Sequence, residues 1–493
     1  MIPFIGTIYG LLPWNPLKFI LRTSFLSDRF HPVRLRLLGH NIHLNQGPAN
    51  VNALFRNKHL SGYFMYSDVL YRCFGLPKKA LHVYKADTTG PFSTDNVSVE
   101  PRNRVEQRTF RSYHQFLVGS GLPALCQRFQ ANIEKRFVSL RAAQSVHWST
   151  YGDLEELFSH TLLAPAVIDS IVGPKLLQAH PNFLADLSTL DENFLGLMSR
   201  LPKFLFRRGF SAQNRCLRAV KDWHNWARMN PDVGATVSDS EDDTAWGSKF
   251  IRDRQTLFLE MDGQDHDSTA SQDLGVLWAA YHNTVASVFW LIVDVFRHPE
   301  ILEQVRKEAQ SCIIGYDGRA PRFDVDRLLH LPWVQAVYAE NLRLRIHGTI
   351  LRKPSQDLTL NGWVVPKNEV IVTCSTTAHM NPSVWASEAR GSHPVFEFHP
   401  SRWLRHDEQD EKSHFSFDGT EGSWIPFGAG VHACPGRIFS KYQTILTLAI
   451  FVTMFDLEVT ASEKDLHMSP NRFGFGILGP VGKISYRIRD SAV

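Results

Sequence analysis

Apolar residues along this chain recur mostly at the three-to-four spacing of helices, interrupted by a few short alternating runs. The longest apolar stretch, Asp273 to Arg297, has almost no polar face over about seven turns, which predicts a buried central helix. His298-Pro299-Glu300 ends it and starts another. Helical spacing also marks Arg104–Phe137, Phe183–Arg200, Ala212–Met229, Asp326–Arg345 and Arg437–Met454. Val33–Leu38 and His40–Leu44 read as strands of a small sheet. Pro91–Glu100 is polar and turn-rich. Asn230–Ser248 holds the acidic run Ser238 to Asp243, has no periodicity, and reads as a surface loop without chemistry.

Composition narrows the picture. The chain has 493 residues, 43% of them apolar, enough for a large core. A net charge of only +4 gives no basic footprint for nucleic acid. Cys73, Cys126, Cys216, Cys312, Cys374 and Cys434 show no CxxC spacing, which argues against a zinc site and a disulfide framework and fits a reducing compartment. Ile2 to Leu21 is apolar but broken by Pro3, Pro13 and Pro16. It falls short of the roughly 20 apolar residues of a spanning helix and lacks the basic start and cleavage site of a secretory signal.

The stretch with the clearest chemistry is Pro426 to Gly436, which reads F-x-x-G-x-H-x-C-x-G. Pro435 falls where a first helical position is expected, so Cys434 lies at the N-terminus of the helix over Arg437–Met454. Free N–H groups and the helix dipole there favour a thiolate. Gly428 and Gly430 allow close backbone approach to a flat ligand, and Phe427 can cover the sulfur. A buried cysteine beside a glycine turn is the plain alternative. Upstream, Glu340-Asn341-Leu342-Arg343 places an acid and a base on one helix face, a weak signal alone. Phe398-His399-Pro400-Ser401-Arg402-Trp403 follows it.

Together these segments, in this order, resemble the cytochrome P450 superfamily. The resemblance implies a mainly α fold with small β-sheets toward the N-terminus and away from the haem. It implies one domain over residues 1–493 and haem b held by Cys434 as the axial iron ligand. It places Phe427, Gly430 and Gly436 around the cofactor, Arg352 and His432 on its propionates as fixed cations, and Glu340, Arg343 and Arg402 in a structural triad. The family's W-x-x-x-R propionate pair is missing. Arg108, Arg111 and His114 are possible substitutes, against the plainer reading of a solvated basic face.

Leu277 to Thr284 occupies the place of the family's oxygen motif. Ala279 and Ala280 match its small residues. His282 stands at the acid position and Asn283 at the usual threonine, with Thr284 one residue later. Asn283, Thr284 and His282 are therefore the candidate proton carriers, although a packed core histidine explains His282 equally well. With Phe289-Trp290, this pattern resembles the branch that contains sterol and bile-acid hydroxylases and prostacyclin synthase. Ile346–Leu351 and Phe473–Leu478 are apolar and should line the substrate pocket.

The implied activity is monooxygenation of an apolar small molecule, a terpenoid, steroid-like or other secondary metabolite. Electrons would come from NADPH–cytochrome P450 reductase. The alternatives are a reductase-independent peroxide isomerase or dehydratase and a haem protein that only binds or senses. Ile2 to Gly6 resembles the hinge after the membrane anchor of microsomal members, with no anchor visible over residues 1–21. Leu201 to Phe210 alternates aromatic and basic residues, which suits a membrane interface. Both imply the cytosolic face of the endoplasmic reticulum membrane.

Overall fold

A computed structural model of the chain describes residues 16–26, 31–37, 40–57, 60–92, 98–144, 147–199, 201–230, 245–317, 320–407 and 410–491. The hinge-like segment before Pro16 and the acidic run Ser238 to Asp243 lie outside them.

The architecture is built on the helix His266–Phe296, which starts seven residues before its apolar stretch. Its first turns are polar. They are held by a capping box in which Asp265 accepts the Ser268 N–H while the Ser268 hydroxyl accepts the Asp265 N–H. Helices Leu163–Val172, Arg207–Met229, Pro332–Arg345 and Arg437–Met454 pack around it. One cluster of buried apolar side chains runs through all of them, from Leu70 to Ile488. Among the described residues, His266–Phe296 is the one helix long and apolar enough to cross a membrane. Its burial explains that apolarity as core packing.

Two expected helices are divided. Arg104–Phe137 becomes Val105–Leu117 and Leu122–Ala142, with the break at Gly119 and Gly121. A Cβ at Gly121 would fall 2.4 Å from the Phe116 ring. Asp326–Arg345 becomes Val325–Leu328 and Pro332–Arg345, with Pro332 in the first turn of the second, where its missing N–H costs nothing. The roof segment Phe183–Arg200 contains Phe183–Glu192 and Phe194–Met198. The aromatic and basic stretch after it is a short turn over Lys203–Phe206 leading into Arg207–Met229.

The sheets differ most from expectation. The hairpin Val33–Leu37 and His40–Asn45 joins Val370–Cys374, Thr349–Pro354 and Leu60–Ser61 in one five-stranded sheet. A second sheet pairs Phe455–Val459, Tyr486–Asp490 and Ser149–Tyr151. Strands thus come from both ends of the chain. The first sheet is not remote from the site, because Thr349–Pro354 carries Arg352. These strands are two to six residues long, and three of the pairings span hundreds of positions, so local periodicity does not reveal the sheets.

Candidate active site

The cysteine loop is shaped by glycines with left-handed backbone. Gly428 has φ 67° and Gly430 φ 68°. A Cβ on Gly430 would also sit 2.6 Å from the Phe55 carbonyl oxygen, so both strain and space require glycine there. The Cys434 N–H donates to the Phe427 carbonyl at 2.9 Å, closing the loop. Helix Arg437–Met454 begins after a cap at Gly436, so Pro435 belongs to the turn before the helix rather than to its first position. The N–H groups of Gly436 and Arg437 still reach the sulfur. Burial pushes the Cys434 thiol up, and these two donors with the Arg437 charge pull it back. Cys434 is the one exposed cysteine of the six, yet the atoms packed around it still desolvate the sulfur.

Behind the loop, Glu340 is fully buried and accepts five hydrogen bonds from four residues. Arg343 forks onto it with Nε–Oε2 at 2.8 Å and Nη2–Oε1 at 2.9 Å. Arg402 Nε donates to Oε1 at 3.2 Å, the His399 N–H to Oε1 at 3.0 Å, and Trp403 Nε1 to Oε2 at 3.0 Å. Burial alone would raise the Glu340 carboxyl. The two guanidiniums outweigh it and hold the carboxyl below the usual range. The remaining donors of Arg343 go to the carbonyls of His379 and Val395, and those of Arg402 to Trp385, His393 and Pro394. This pins the segment 385–403 to helix Pro332–Arg345.

On the central helix, Ala279 is exposed and Ala280 and Asn283 are half-buried, although most of the helix is enclosed. Asn283 Oδ1 accepts the Ile477 N–H at 2.9 Å. A Cβ on Gly476 would come within 2.0 Å of that oxygen, so the close approach depends on glycine. Thr284 is only 4% exposed. The helix runs unbroken through both residues, without the local distortion that would bring Thr284 beside Asn283.

His282 is placed differently from the expected proton carrier. It is buried, its Nδ1 is 2.6 Å from Asp191 Oδ1, and its ring stacks on Trp278 at 4.9 Å. Asp191, from helix Phe183–Glu192, also accepts Trp278 Nε1 at 2.8 Å and lies 3.1 Å from Arg472 Nε. Burial opposes the Asp191 charge, yet Arg472 and His282 bring its carboxyl down to about 2. The imidazole is therefore a packing and pairing group between the central helix and the roof. Sequence spacing could not show this, because Asp191 lies 91 positions away.

The two apolar segments expected near the pocket are paired with each other. Ile346 bridges Ile477 and Gly348 bridges Gly474. The His347 N–H donates to the Gly476 carbonyl at 2.8 Å. Phe475 meets Phe194 edge-on at 4.7 Å, and Phe194 stacks on Trp278 at 4.3 Å, making an aromatic wall beside Asn283.

Arg352 is half-buried, and its Nη1 donates to the Leu351 carbonyl at 2.9 Å. His432 is not a fixed cation, because burial and then Arg352 hold its imidazole down to about 4. None of the three suggested helix residues joins them. Arg108 bonds Glu260 and the Arg102 carbonyl, Arg111 is exposed, and the His114 ring lies tilted against Phe110 at 4.0 Å. The residue of that helix that does join them is an acid. Glu106 Oε1 lies 3.7 Å from His432 Nδ1. Burial and Asp87 push the Glu106 carboxyl up to about 7, with Arg352 opposing. A search for bases on this helix passes over it.

The cytochrome P450 family model matches residues 233–485, the part that holds Asn283, the Glu340–Arg343–Arg402 cluster and Cys434. The chain belongs to the cytochrome P450 family. Its relatives include the cytochrome P450 monooxygenase efuG of Hormonema carpetanum, 29% identical over 99% of this chain and 88% of that protein. They also include fsoE of Humicola fuscoatra, at 27% over 99% and 86%. Cholesterol 7-alpha-monooxygenase of Cricetulus griseus is 24% identical over 99% and 92%. The crystal structure of the cytochrome P450DA heme domain aligns with a TM-score of 0.69 over 99% of this chain and 96% of that one, at 15% identity.

As a P450 the protein is a monooxygenase, an oxidoreductase with haem iron as cofactor. The residues present fit that group. One exposed sulfur receives two backbone N–H groups, Ala279 and Ala280 keep the accessible face of the central helix small, and Arg352 supplies a guanidinium for a carboxylate. Such enzymes take electrons from a redox partner and act on hydrophobic substrates.

Proposed function

We propose that this P450 hydroxylates an apolar polycyclic molecule, of terpenoid or steroid-like class, with electrons from NADPH–cytochrome P450 reductase. One domain over residues 1–493 does so, consistent with relatives that align along 99% of it. Thiolate-ligated haem supplies the chemistry that, with two electrons and two protons, puts one atom of dioxygen into a C–H bond and the other into water.

Cys434 would hold the iron, Phe427 and the glycines Gly430 and Gly436 would shape the loop around it, and Arg352 with His432 would meet the propionates. Glu340, Arg343 and Arg402 keep that loop and its supporting segment in place. Asn283 carries the reading. With Oδ1 committed to Ile477, its side chain offers an NH2 donor on the accessible face of the central helix. That donor orders a water for proton delivery, while Thr284 is more deeply buried on an undistorted helix and plays a lesser part. The aromatic wall of Phe194, Trp278 and Phe475 favours a flat apolar substrate and limits water.

One observation favours a second reading, peroxide rearrangement without reductase. Asp191 occupies His282, which leaves the central helix with fewer proton carriers. Incubation with reductase, NADPH and a panel of sterols and terpenoids tests the first reading. Product from a hydroperoxide alone, and none with NADPH, would establish the second.

A membrane surface is the proposed setting, at the cytosolic face of the endoplasmic reticulum. Leu201, Phe204 and Leu205 are exposed together on the turn before helix Arg207–Met229. Lys203 stands 5.0 Å from the Phe210 ring. Rings and cations in this arrangement suit lipid headgroups.

A further inference from the structure

We propose that Glu106 is a haem-propionate partner that shares a proton with the propionate, so that reduction of the iron is coupled to uptake of one proton. The inference rests on the haem assignment and concerns the helix on which the resemblance offered Arg108, Arg111 and His114 as propionate partners.

Four groups face Glu106 from elements packed against its helix. Tyr63 precedes helix Phe64–Cys73, Asp87 follows helix Leu81–Ala86, Arg352 comes from strand Thr349–Pro354, and His432 comes from the cysteine loop. On its own helix, Arg108 is turned outward to Glu260. Asp87 is already supplied with donors. It accepts the Thr89 N–H at 3.0 Å, the Thr89 hydroxyl at 2.6 Å and the Glu106 N–H at 2.8 Å. The Glu106 carboxyl is not, since its 3.7 Å contact with His432 exceeds hydrogen-bond reach.

A propionate on Arg352 and His432 therefore arrives beside a carboxyl that is 9% exposed and free to bond it. Even with His432 charged, three carboxyl groups would meet two cations. Two close carboxyls in a buried site can share one proton, which they take up once added negative charge raises their affinity. The high proton affinity of Glu106 before any propionate is present agrees with this. When the reductase supplies one electron to ferric iron, the added negative charge raises the proton affinity of the pair. One proton then enters from solvent, and charge balances without another oxidant or reductant.

The test is a spectroelectrochemical titration of the holoprotein from about pH 5.5 to 8.5, which brackets a raised carboxyl. One proton per electron is a tenfold change per pH unit, about 59 mV. The wild-type midpoint potential should fall with a slope approaching that value. Glu106→Gln should flatten it, and Glu106→Asp should restore part of it. A wild-type potential independent of pH, or a Glu106→Gln protein with intact thiolate-type carbon-monoxide spectrum and unchanged slope, overturns the proposal. Loss of that spectrum in the wild type would instead overturn the haem assignment beneath it. Should the Gln variant load no haem, reduced-minus-oxidised infrared spectra of the wild type decide. A protonated-carboxyl band gained on reduction supports the shared proton, and its absence overturns it.

Discussion

Asn283 and Ile477 are joined by a 2.9 Å hydrogen bond from the loop N–H to the side-chain oxygen. The bond fixes the amide of the central helix against the C-terminal pocket segment. Asn283→Ala removes both this anchor and the NH2 donor. At about 1 kcal/mol for one hydrogen bond, the share of electrons released as hydrogen peroxide should rise roughly fivefold. Thr284→Ala should move it less, because Thr284 is only 4% exposed. Peroxide formed per NADPH consumed reads the effect.

Arg343 and Glu340 are both fully buried, so breaking their pair is costly. Arg343→Ala leaves the carboxylate without its fork, a loss of about 3–5 kcal/mol. Little haem-loaded protein should be recovered. Arg343→Lys should recover little more, since an ammonium cannot form the fork. Normal haem content in Arg343→Ala would show that the remaining donors suffice.

His347 titrates in the opposite sense to a salt-bridged histidine. Burial, then the Arg345 charge, brings its imidazole down to about 4 against one opposing backbone hydrogen bond. Between the ordinary value of about 6.5 and about 4, the unfolded chain binds the proton and the folded one does not. Its contribution is therefore full above the unfolded value and is lost as pH falls through that window, by about 3 kcal/mol. His379 is lowered in the same direction by burial. Glu106, raised to about 7 by burial and Asp87, works the other way in the apoprotein as pH rises from about 4.5. His347→Gln should flatten the acid limb of the urea midpoint measured against pH, and an unchanged limb would contradict this assignment.

Phe204 and Leu205 are exposed apolar side chains within the roof turn, whereas Phe206 packs on Gly196. Burying one such side chain in lipid is worth about 1.5–3 kcal/mol. Phe204→Ser with Leu205→Ser should therefore lower liposome partitioning by about tenfold or more, with the haem spectrum unchanged. Equal partitioning would make the turn an ordinary surface feature.

How much of this was legible in sequence varied with the range of the interaction. The cysteine loop and the Glu340–Arg343 spacing are local, so their residues could be read directly. The central helix was visible in its apolar run, while its N-terminus was concealed in a polar capping box at Asp265 and Ser268. What could not be read depends on distant partners. His282 finds Asp191, Asn283 finds Ile477, and Arg352 sits on a strand that pairs with Val370–Cys374 and Leu60–Ser61. Glu106 was missed for a chemical reason. A propionate site leads one to look for bases, and only the packing of Asp87, Arg352 and His432 around the helix reveals the acid.

The fate of labelled dioxygen separates hydroxylation from peroxide rearrangement most directly. With reductase, NADPH, oxygen-18 gas and a sterol or terpenoid substrate, the product should carry one labelled oxygen atom in a new hydroxyl group, with the other atom in water. Efficient turnover of a hydroperoxide without reductase, together with no labelled product from any substrate in the panel, would contradict the monooxygenase account of this site.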